Sequence, residues 1–368
     1  MKSALGVSVS AYSQCLGRMH RMRLLVLGGT RFLGRAIVDE AVRRGFDVTT
    51  LTRGVSGEPR RGAEALHGDR TSADGLSELA KRDWDAVIDT SVIAPVHVLA
   101  SARVLSGHVG HYSYVSSLRT YRDWPSAPVD EDSPTHECPP DAVGGLPYGV
   151  LKAGSERAVA AVFPGRCLLV RAGIIVGPHE SPRRLPWWLD RASVGGRMLA
   201  PGLPGDRVRL VDVRDLAAWI LDNTRRQIPG AVDIPGSDRD TFGGLLGACV
   251  SITAGSRLGP EPELVWTPHD ALLAAGVRPW WELPMWAPST AEWAGVWDVA
   301  GERARMTGMH YRPLFDTVRD TWRWMRQQKS TRVPSGSPTV ADTGIAGLPR
   351  PDQIGLDPVK EQQILASP

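Results

Sequence analysis

The sequence predicts an α/β fold, a doubly wound parallel sheet followed by a smaller C-terminal lobe, and three observations lead there. Short apolar runs alternate with helical periodicity through the first half of the chain. The stretch "LGGTRFLGR", from Leu27 to Arg35, sets a glycine-rich turn directly behind the apolar run Leu24–Leu27. Past Gly177 the texture changes: Pro, Gly and Trp become dense and the elements short.

Taken in order, "MRLLVLGG" reads as a buried strand and "RAIVDEAVRRG" as an amphipathic helix closed by Gly45. "FDVTTLTRG" and "AEALHGD" read as the second and third strands; "WDAVIDTS" and "GHYSYVSS" follow, each behind a helical stretch. Crossovers of this length favour parallel pairing, because parallel neighbours need a long connection. A helix opens near Tyr148 and runs to Val162, and "RCLLVRAGIIVG" reads as one further buried strand. The second lobe carries "PWWLDRA", "VRLVDVRDLAAWILDN" and "PWWELPMW", an insertion threaded back onto the sheet edge. Asp215 is the expected N-cap of "LAAWILDN". The amphipathic helix "LFDTVRDTWRWMRQQ" is expected to end the folded part. Ser, Pro, Gly and Thr then dominate from Ser330 to Pro351, as in a flexible linker, before Asp357 and Pro358 start one short helix. The expected organisation is a disordered extension at 1–21, a dinucleotide-binding domain at 22–177, a substrate lobe mainly within 178–329 and a flexible tail at 330–368.

Composition narrows the function classes. A net charge of +3 over 368 residues gives no footprint for nucleic acid or a membrane surface. No apolar run approaches the ~18–20 residues that span a bilayer. The N-terminal "MKSALGVSVSAYSQCLGRMHR" has no continuous apolar core, so a secretory signal is not expected. Cys15, Cys138, Cys167 and Cys249 are scattered without a C-x-x-C pair, which suits a reducing cytoplasm and gives no zinc site. The nine histidines show no metal-ligand spacing, and no metal is expected. The expected partner is a polar small molecule.

The glycine-rich turn carries the first chemistry. Gly28 and Gly29 permit a tight turn and close backbone approach to a pyrophosphate, and Gly34 permits close helix–strand packing. The helix that begins there offers free N–H groups and the positive end of its dipole. The whole loop of Gly28, Gly29, Thr30, Arg31, Phe32, Leu33 and Gly34 is therefore a candidate cofactor site. NAD-selective folds end the second strand on a carboxylate that holds the ribose 2′-hydroxyl. Here the strand ends "TLTRG", and Arg53 with Arg31 would instead attract a 2′-phosphate. NADP(H) is thus expected as the preferred cofactor, with NAD(H) the lesser one. Asp69 in "HGDRT" is a candidate partner for the adenine amino group or a plain turn residue. Arg70 beside it, and Thr90 and Ser91 behind the fourth strand, join the cofactor set.

The second motif is "YGVLK". Tyr148 and Lys152 lie four apart on a predicted helix, hence on one face. A phenol titrates near 10, about three units too high for a base near neutrality, and a neighbouring ammonium favours the phenolate. Upstream, "HYSYVSS" ends in Ser116 and Ser117, and a hydroxyl at the C-terminal end of a parallel strand lies where open sheets bind ligands. Trp187, Trp188, Trp280 and Trp281, in "PRRLPWWLD" and "PWWELPMW", are weaker candidates for the substrate pocket or plain packing residues; Arg183, Arg184, Arg207 and Arg209 are candidates for an anionic substrate or a solvated surface, and Arg119 is a further weak candidate.

With these residues in place the chain resembles the short-chain dehydrogenase/reductase superfamily. The "GGTRFLG" turn, "YVSSLRTY", "YGVLK" and "LLVRAGIIVGP" occur in that superfamily's order and spacing. They look like its extended branch, and more narrowly its atypical members with a GGTRF-type loop. "LVDVRDLAAWI" and "ERARMTGMHYRPLFDTVRDTWRWM" are similar to the branch's C-terminal lobe, and the likeness spans Met22 to Gln328. It implies a Rossmann-type sheet, a catalytic set of Ser117, Tyr148 and Lys152, a Lys152 contact to the nicotinamide ribose, and Ala172 and Gly173 beside the nicotinamide. Homodimers occur in this branch. Three departures stand out. The branch's usual Asn upstream of the serine is not identifiable, the fourth strand ends "DTSV", and Leu118 and Arg119 stand where its dehydratases carry an Asp–Glu pair.

Three readings follow: an NADP(H)-dependent oxidoreductase acting on an alcohol or carbonyl; an epimerase of a nucleotide-sugar-like substrate; or a non-catalytic NADP-sensing or RNA-binding protein. Arg53 tilts toward the first, since an epimerase regenerates its cofactor each turnover and gains little from an NADP pool.

Overall fold

The computed structural model describes residues 21–55, 57–256, 258–330 and 353–366. The expected extension and most of the expected linker, with Cys15, lie outside the described residues. In chain order the main elements are β1 (Arg23–Leu27), α1 (Phe32–Arg43), β2 (Asp47–Thr52), β3 (Glu64–His67), β4 (Trp84–Asp89), α2 (Pro95–Leu105), β5 (Val109–Ser117), α3 (Tyr148–Val162) and β6 (Cys167–Ala172). Then come β7 (Ile174–Val176), α4 (Arg184–Val194), β8 (Arg197–Pro201), β9 (Leu210–Asp212), α5 (Val213–Arg225) and β10 (Gly230–Ile234). Seven strands form one sheet in the order β10-β6-β5-β4-β1-β2-β3, every neighbouring pair parallel.

Both faces of this sheet are covered, which is why its strands read as nearly unbroken apolar runs. Alternation sorts β1: Leu24 and Val26 pack with Ile37 of α1 and Leu216 and Ile220 of α5, while Leu25 and Leu27 pack with Val98 of α2 and Val159 of α3. Strand order reverses between β1 and β4, opening a crevice above their carboxyl ends, where open parallel sheets bind ligands.

"RCLLVRAGIIVG" is not one strand. β6 stays in the sheet, Gly173 turns the chain out, and β7 pairs with β9 in a separate two-stranded sheet. Gly173 N–H donates to Ile234 O, and a Cβ there would meet Pro235 O at 2.8 Å, so only glycine passes so close to the neighbouring chain. The cap of α5 also differs from expectation. Asp212 accepts from Arg214 N at the helix start, whereas Asp215 sits in the first turn and accepts from Arg312.

The second lobe packs α4, α6 (Phe242–Thr253) and α7 (Leu314–Ser330) around Trp188, Leu245, Trp286 and Val318. Beside them β8 pairs with β11 (Glu263–Thr267). The folded part does not end at α7. Helix α8 (Pro358–Ala366) is capped by Asp357, which accepts from Val359 N and Lys360 N, and it docks on the lobe. Its Glu361 is buried, accepting from Arg191 Nε at 2.7 Å and Leu199 N at 3.0 Å, while Ile354 and Leu356 enter the core.

Candidate active site

One cleft of about 790 Å³ opens along the switch point. The residues expected from sequence line it, from the Gly28–Gly34 loop to Lys152, Arg184, Arg209 and Trp280, except Arg183, Trp187, Trp188, Arg207 and Trp281. Trp187 and Trp188 belong to the lobe core: Trp188 is fully buried and donates to Pro284 O at 2.9 Å, and Trp187 packs edge-on against it. The apolar face of α4 turns into the lobe, so only its first residue, Arg184, reaches the cleft. Trp124, Trp280 and Trp297 form the aromatic wall, with Trp280 expected from sequence and Trp124 and Trp297 not, and Arg209, also expected, joins them. Trp280 holds a left-handed backbone (φ 68°), an unusual state for a bulky residue and one that clusters at functional sites.

At one end the glycine loop makes a cradle that side chains would fill. A Cβ on Gly28 (φ 112°) would meet Thr90 Oγ1 at 2.4 Å, and one on Gly34 would meet Gly29 N at 2.7 Å. Arg31 precedes α1 in extended conformation, and Arg53 is exposed at the mouth. Asp69 accepts from Thr71 N at 2.9 Å and Thr71 Oγ1 at 2.7 Å, closing its own turn; these bonds lead the effects that hold its carboxyl below the usual range. Arg70 lines the cleft with its guanidinium committed elsewhere. It clamps Asp89 through two bonds of 2.8 Å and also donates to Ser91 and Ser101.

Asp89, at the end of β4, was not nominated from sequence. It is fully buried and accepts from Arg70, Tyr112 Oη (2.7 Å), Ser91 N (3.0 Å) and Ser91 Oγ (2.6 Å). Burial alone would raise this carboxyl; Arg70 and Ser91 outweigh it and hold it below its usual range. A lone carboxylate ending an apolar strand was the available signal. The network fixes Ser91, whose carbonyl oxygen accepts from Lys152 Nζ at 3.0 Å.

At the other end Ser117, Tyr148 and Lys152 come together. Ser117 ends β5, and Tyr148 opens α3 half-buried behind Pro147, with Lys152 one turn on. Burial pushes the Tyr148 phenol up, while Arg119, a hydrogen bond with Ser117, and Arg184 oppose it. Burial pulls the Lys152 ammonium down to about 8, against Asp89 and Glu156, which hold it up. Arg184 donates to the buried Glu180 at 2.9 Å and to Ile175 O at 2.8 Å. Ala172 and Gly173 complete the floor.

A nicotinamide dinucleotide fits these residues. The cradle leaves room for a pyrophosphate against backbone at a helix start, and the Ser–Tyr–Lys set lies at the far end of the same cleft. Fold and site thus define a dinucleotide-binding enzyme of the Rossmann class. A sequence model of the NAD dependent epimerase/dehydratase family matches residues 24–230, more than half of the chain. The chain belongs to that family. It is similar to the chloroplast stem-loop binding protein of 41 kDa b of Arabidopsis thaliana, 29% identical over 285 residues, covering 72% of this chain and 68% of that protein. It is also similar to dTDP-6-deoxy-L-talose 4-dehydrogenase (NAD(P)(+)) of Kitasatospora kifunensis, 28% identical over 313 residues, covering 72% of this chain and 96% of that enzyme. Among solved structures, the Bordetella bronchiseptica enzyme WbmH in complex with NAD+ shares the fold, with a TM-score of 0.62 and 19% identity over 83% of this chain and 99% of that one.

Proposed function

We propose that the protein is an NADP(H)-preferring oxidoreductase that moves hydride between its cofactor and an alcohol or carbonyl of a polar small molecule, with a sugar as the favoured class. The observation that carries this reading is the single cleft shared by the glycine cradle and Ser117, Tyr148 and Lys152. The likeness to a dTDP-sugar 4-dehydrogenase supports the sugar, and Arg53 at the cleft mouth supports NADP(H).

The bound nicotinamide supplies or accepts hydride at the reacting carbon. Tyr148 gives its proton to the carbonyl oxygen in reduction and takes it back in oxidation. Ser117 places a hydroxyl beside that phenol to polarise the same oxygen. Lys152 and the Asp89 network fix the floor beneath them. Leu118 and Arg119 leave no carboxylate pair after Ser117 to drive elimination.

A panel of sugars, nucleotide sugars and ketones, followed by NADPH absorbance, tests the reading: one or more members should consume NADPH. An epimerase would convert a nucleotide sugar with no net NADPH change. The stem-loop binding relative keeps a third outcome in view: tight RNA binding with no turnover on any member would reject the oxidoreductase. A cytoplasmic location, which the scattered cysteines suit, and assembly as a homodimer belong to the same proposal. Among the described residues no helix is long and apolar enough to cross a membrane.

A further inference from the structure

Residues 276–286 form the turn that carries Trp280 into the cleft, and its backbone is held in an unfavourable state. Trp280 and Met285 both adopt left-handed conformations (φ 68° each), which non-glycine residues keep only where their surroundings enforce it. Inside the turn Trp280 N donates to Trp286 O at 2.9 Å and Glu282 N to Arg278 O at 3.1 Å. The lobe adds two tethers: Trp188 Nε1 donates to Pro284 O and Trp286 Nε1 to His269 Nδ1, both at 2.9 Å. Trp280 stacks on Trp293 and Trp297, with ring centres 5.4 and 5.9 Å away, and Trp124 meets it edge-on. The aromatic wall is therefore placed by this turn.

Further tethers come from the far end of the chain. Gly355 N donates to Trp281 O at 2.9 Å. Gly355 itself holds φ 111°, and a Cβ there would run into the Trp187 indole, so glycine is required for this approach. Lys360, on the first turn of α8, donates to Gly276 O at 2.8 Å, where the turn begins, and to Glu282 Oε2 at 2.9 Å. Glu282 is 12% exposed and also accepts from Arg278 N at 2.7 Å, so one carboxylate closes the turn while Lys360 balances its charge. The Arg278 guanidinium is exposed and stands 3.7 Å from the same carboxylate. On its other side α8 is fixed by Glu361 on Arg191 and Leu199 N, and by Arg197, which donates to Leu365 O at 2.7 Å. The segment thus links α4 and β8 to the turn behind the cleft wall, and none of its residues lines the cleft.

We propose that the C-terminal segment 353–366 belongs to the substrate site: Gly355 and Lys360 are positioning residues that hold the Trp280 turn, and through the aromatic wall they set substrate affinity without touching substrate. Without the Lys360 ammonium, the largely buried Glu282 carboxylate loses its closest cation and Gly276 O loses its donor, so the turn relaxes. The glycine cradle has no part in this chain of contacts. The inference rests on the reading of the cleft as an oxidoreductase site, and its first test needs no substrate.

Labelling with 5-fluorotryptophan gives one fluorine resonance for each of the 13 tryptophans of the full-length protein, and Trp280→Phe identifies that of Trp280 by its loss. Lys360→Met should shift or broaden the Trp280 resonance, and Lys360→Arg should return it toward the wild-type position. Val359→Ala, at an exposed position on the same helix, should leave it in place. On a panel member that consumes NADPH, Lys360→Met should raise KM about tenfold, the usual effect of losing one hydrogen bond to a charged group, with kcat and NADPH affinity nearly unchanged. NADPH fluorescence reports whether each variant is folded, and Lys360→Gln replaces Lys360→Met if that variant is not. A Trp280 resonance unmoved in Lys360→Met, an equal displacement by Val359→Ala, or a KM equal to that of the wild type would overturn the proposal. The spectrum decides on the brace even where no panel member turns over, so its failure is separate from a failure of the oxidoreductase reading.

Discussion

Replacing Asp89 by Asn removes one charge from the centre of the fold while keeping the side chain's shape. Asp89 is 0% and Arg70 9% exposed, and the guanidinium clamps the carboxylate through two bonds of 2.8 Å. Breaking a buried pair from one side leaves an uncompensated charge, which costs about 3–5 kcal/mol. For a protein of this size that lowers the melting temperature by on the order of 10 °C. The paired charge has a definite pH signature. Asp89 titrates below its ordinary value in the folded state, so its contribution is present above the unfolded value of about 4 and is lost as the pH falls through the lower folded value. Thermal melts should therefore show a wide gap between wild type and Asp89→Asn near neutrality that closes in acid. Removing both partners, as Asp89→Leu with Arg70→Met, should recover much of the loss, because no unpaired charge remains. If Asp89→Asn melts with the wild type at neutral pH, the buried pair is not what holds the end of β4.

Arg53→Asp should reverse the cofactor preference; loss of a charge-assisted phosphate contact of ~2 kcal/mol changes the NADPH-to-NADH affinity ratio roughly thirtyfold, measured by fluorescence titration. Deleting residues 353–368 removes Glu361 from Arg191 and Leu199 N; melting should fall while NADPH affinity holds, since none of these groups lines the cleft. Burial raises the Asp233 carboxyl to about 8, with Glu131 adding to it and a hydrogen bond from Tyr121 opposing. A raised folded value means stability is fully present below the unfolded value and is lost as the pH rises through about 8. Melts of the wild type should thus weaken with rising pH across that window, and Asp233→Asn should flatten the dependence.

The sheet was legible because β1, β4 and β6 are buried, largely apolar runs and the crossovers after β1, β4 and β5 carry helical periodicity. The bounds of α3, Tyr148–Val162, match the reading from sequence. Gly173 misled it, since a glycine between two apolar runs looks like strand continuity until the crossing chain at Pro235 is seen. The glycine loop and the Tyr148–Lys152 pair, both proposed site elements, were readable because local spacing sets each, and Ser117 because it ends a strand; the structure brings all of them to one cleft. Of the aromatic wall only Trp280 was legible. Trp124 and Trp297 join it through the lobe's packing, whereas the adjacent Trp187 and Trp188 announce themselves and pack into the lobe core. Arg70 was read alone and Asp89 not at all, because nothing local shows that residues 19 apart share a buried pair.

The measurement that bears most directly on the account is turnover and cofactor binding of Tyr148→Phe beside the wild type, on whichever panel member consumes NADPH. Phenylalanine keeps the ring and removes the one group assigned to proton transfer. Turnover should fall by ~10²–10⁴, the usual worth of a positioned acid or base, with NADPH affinity nearly unchanged. Near-normal turnover in Tyr148→Phe would contradict the mechanism, while the proposal of Gly28–Gly34 as the cofactor cradle would be untouched.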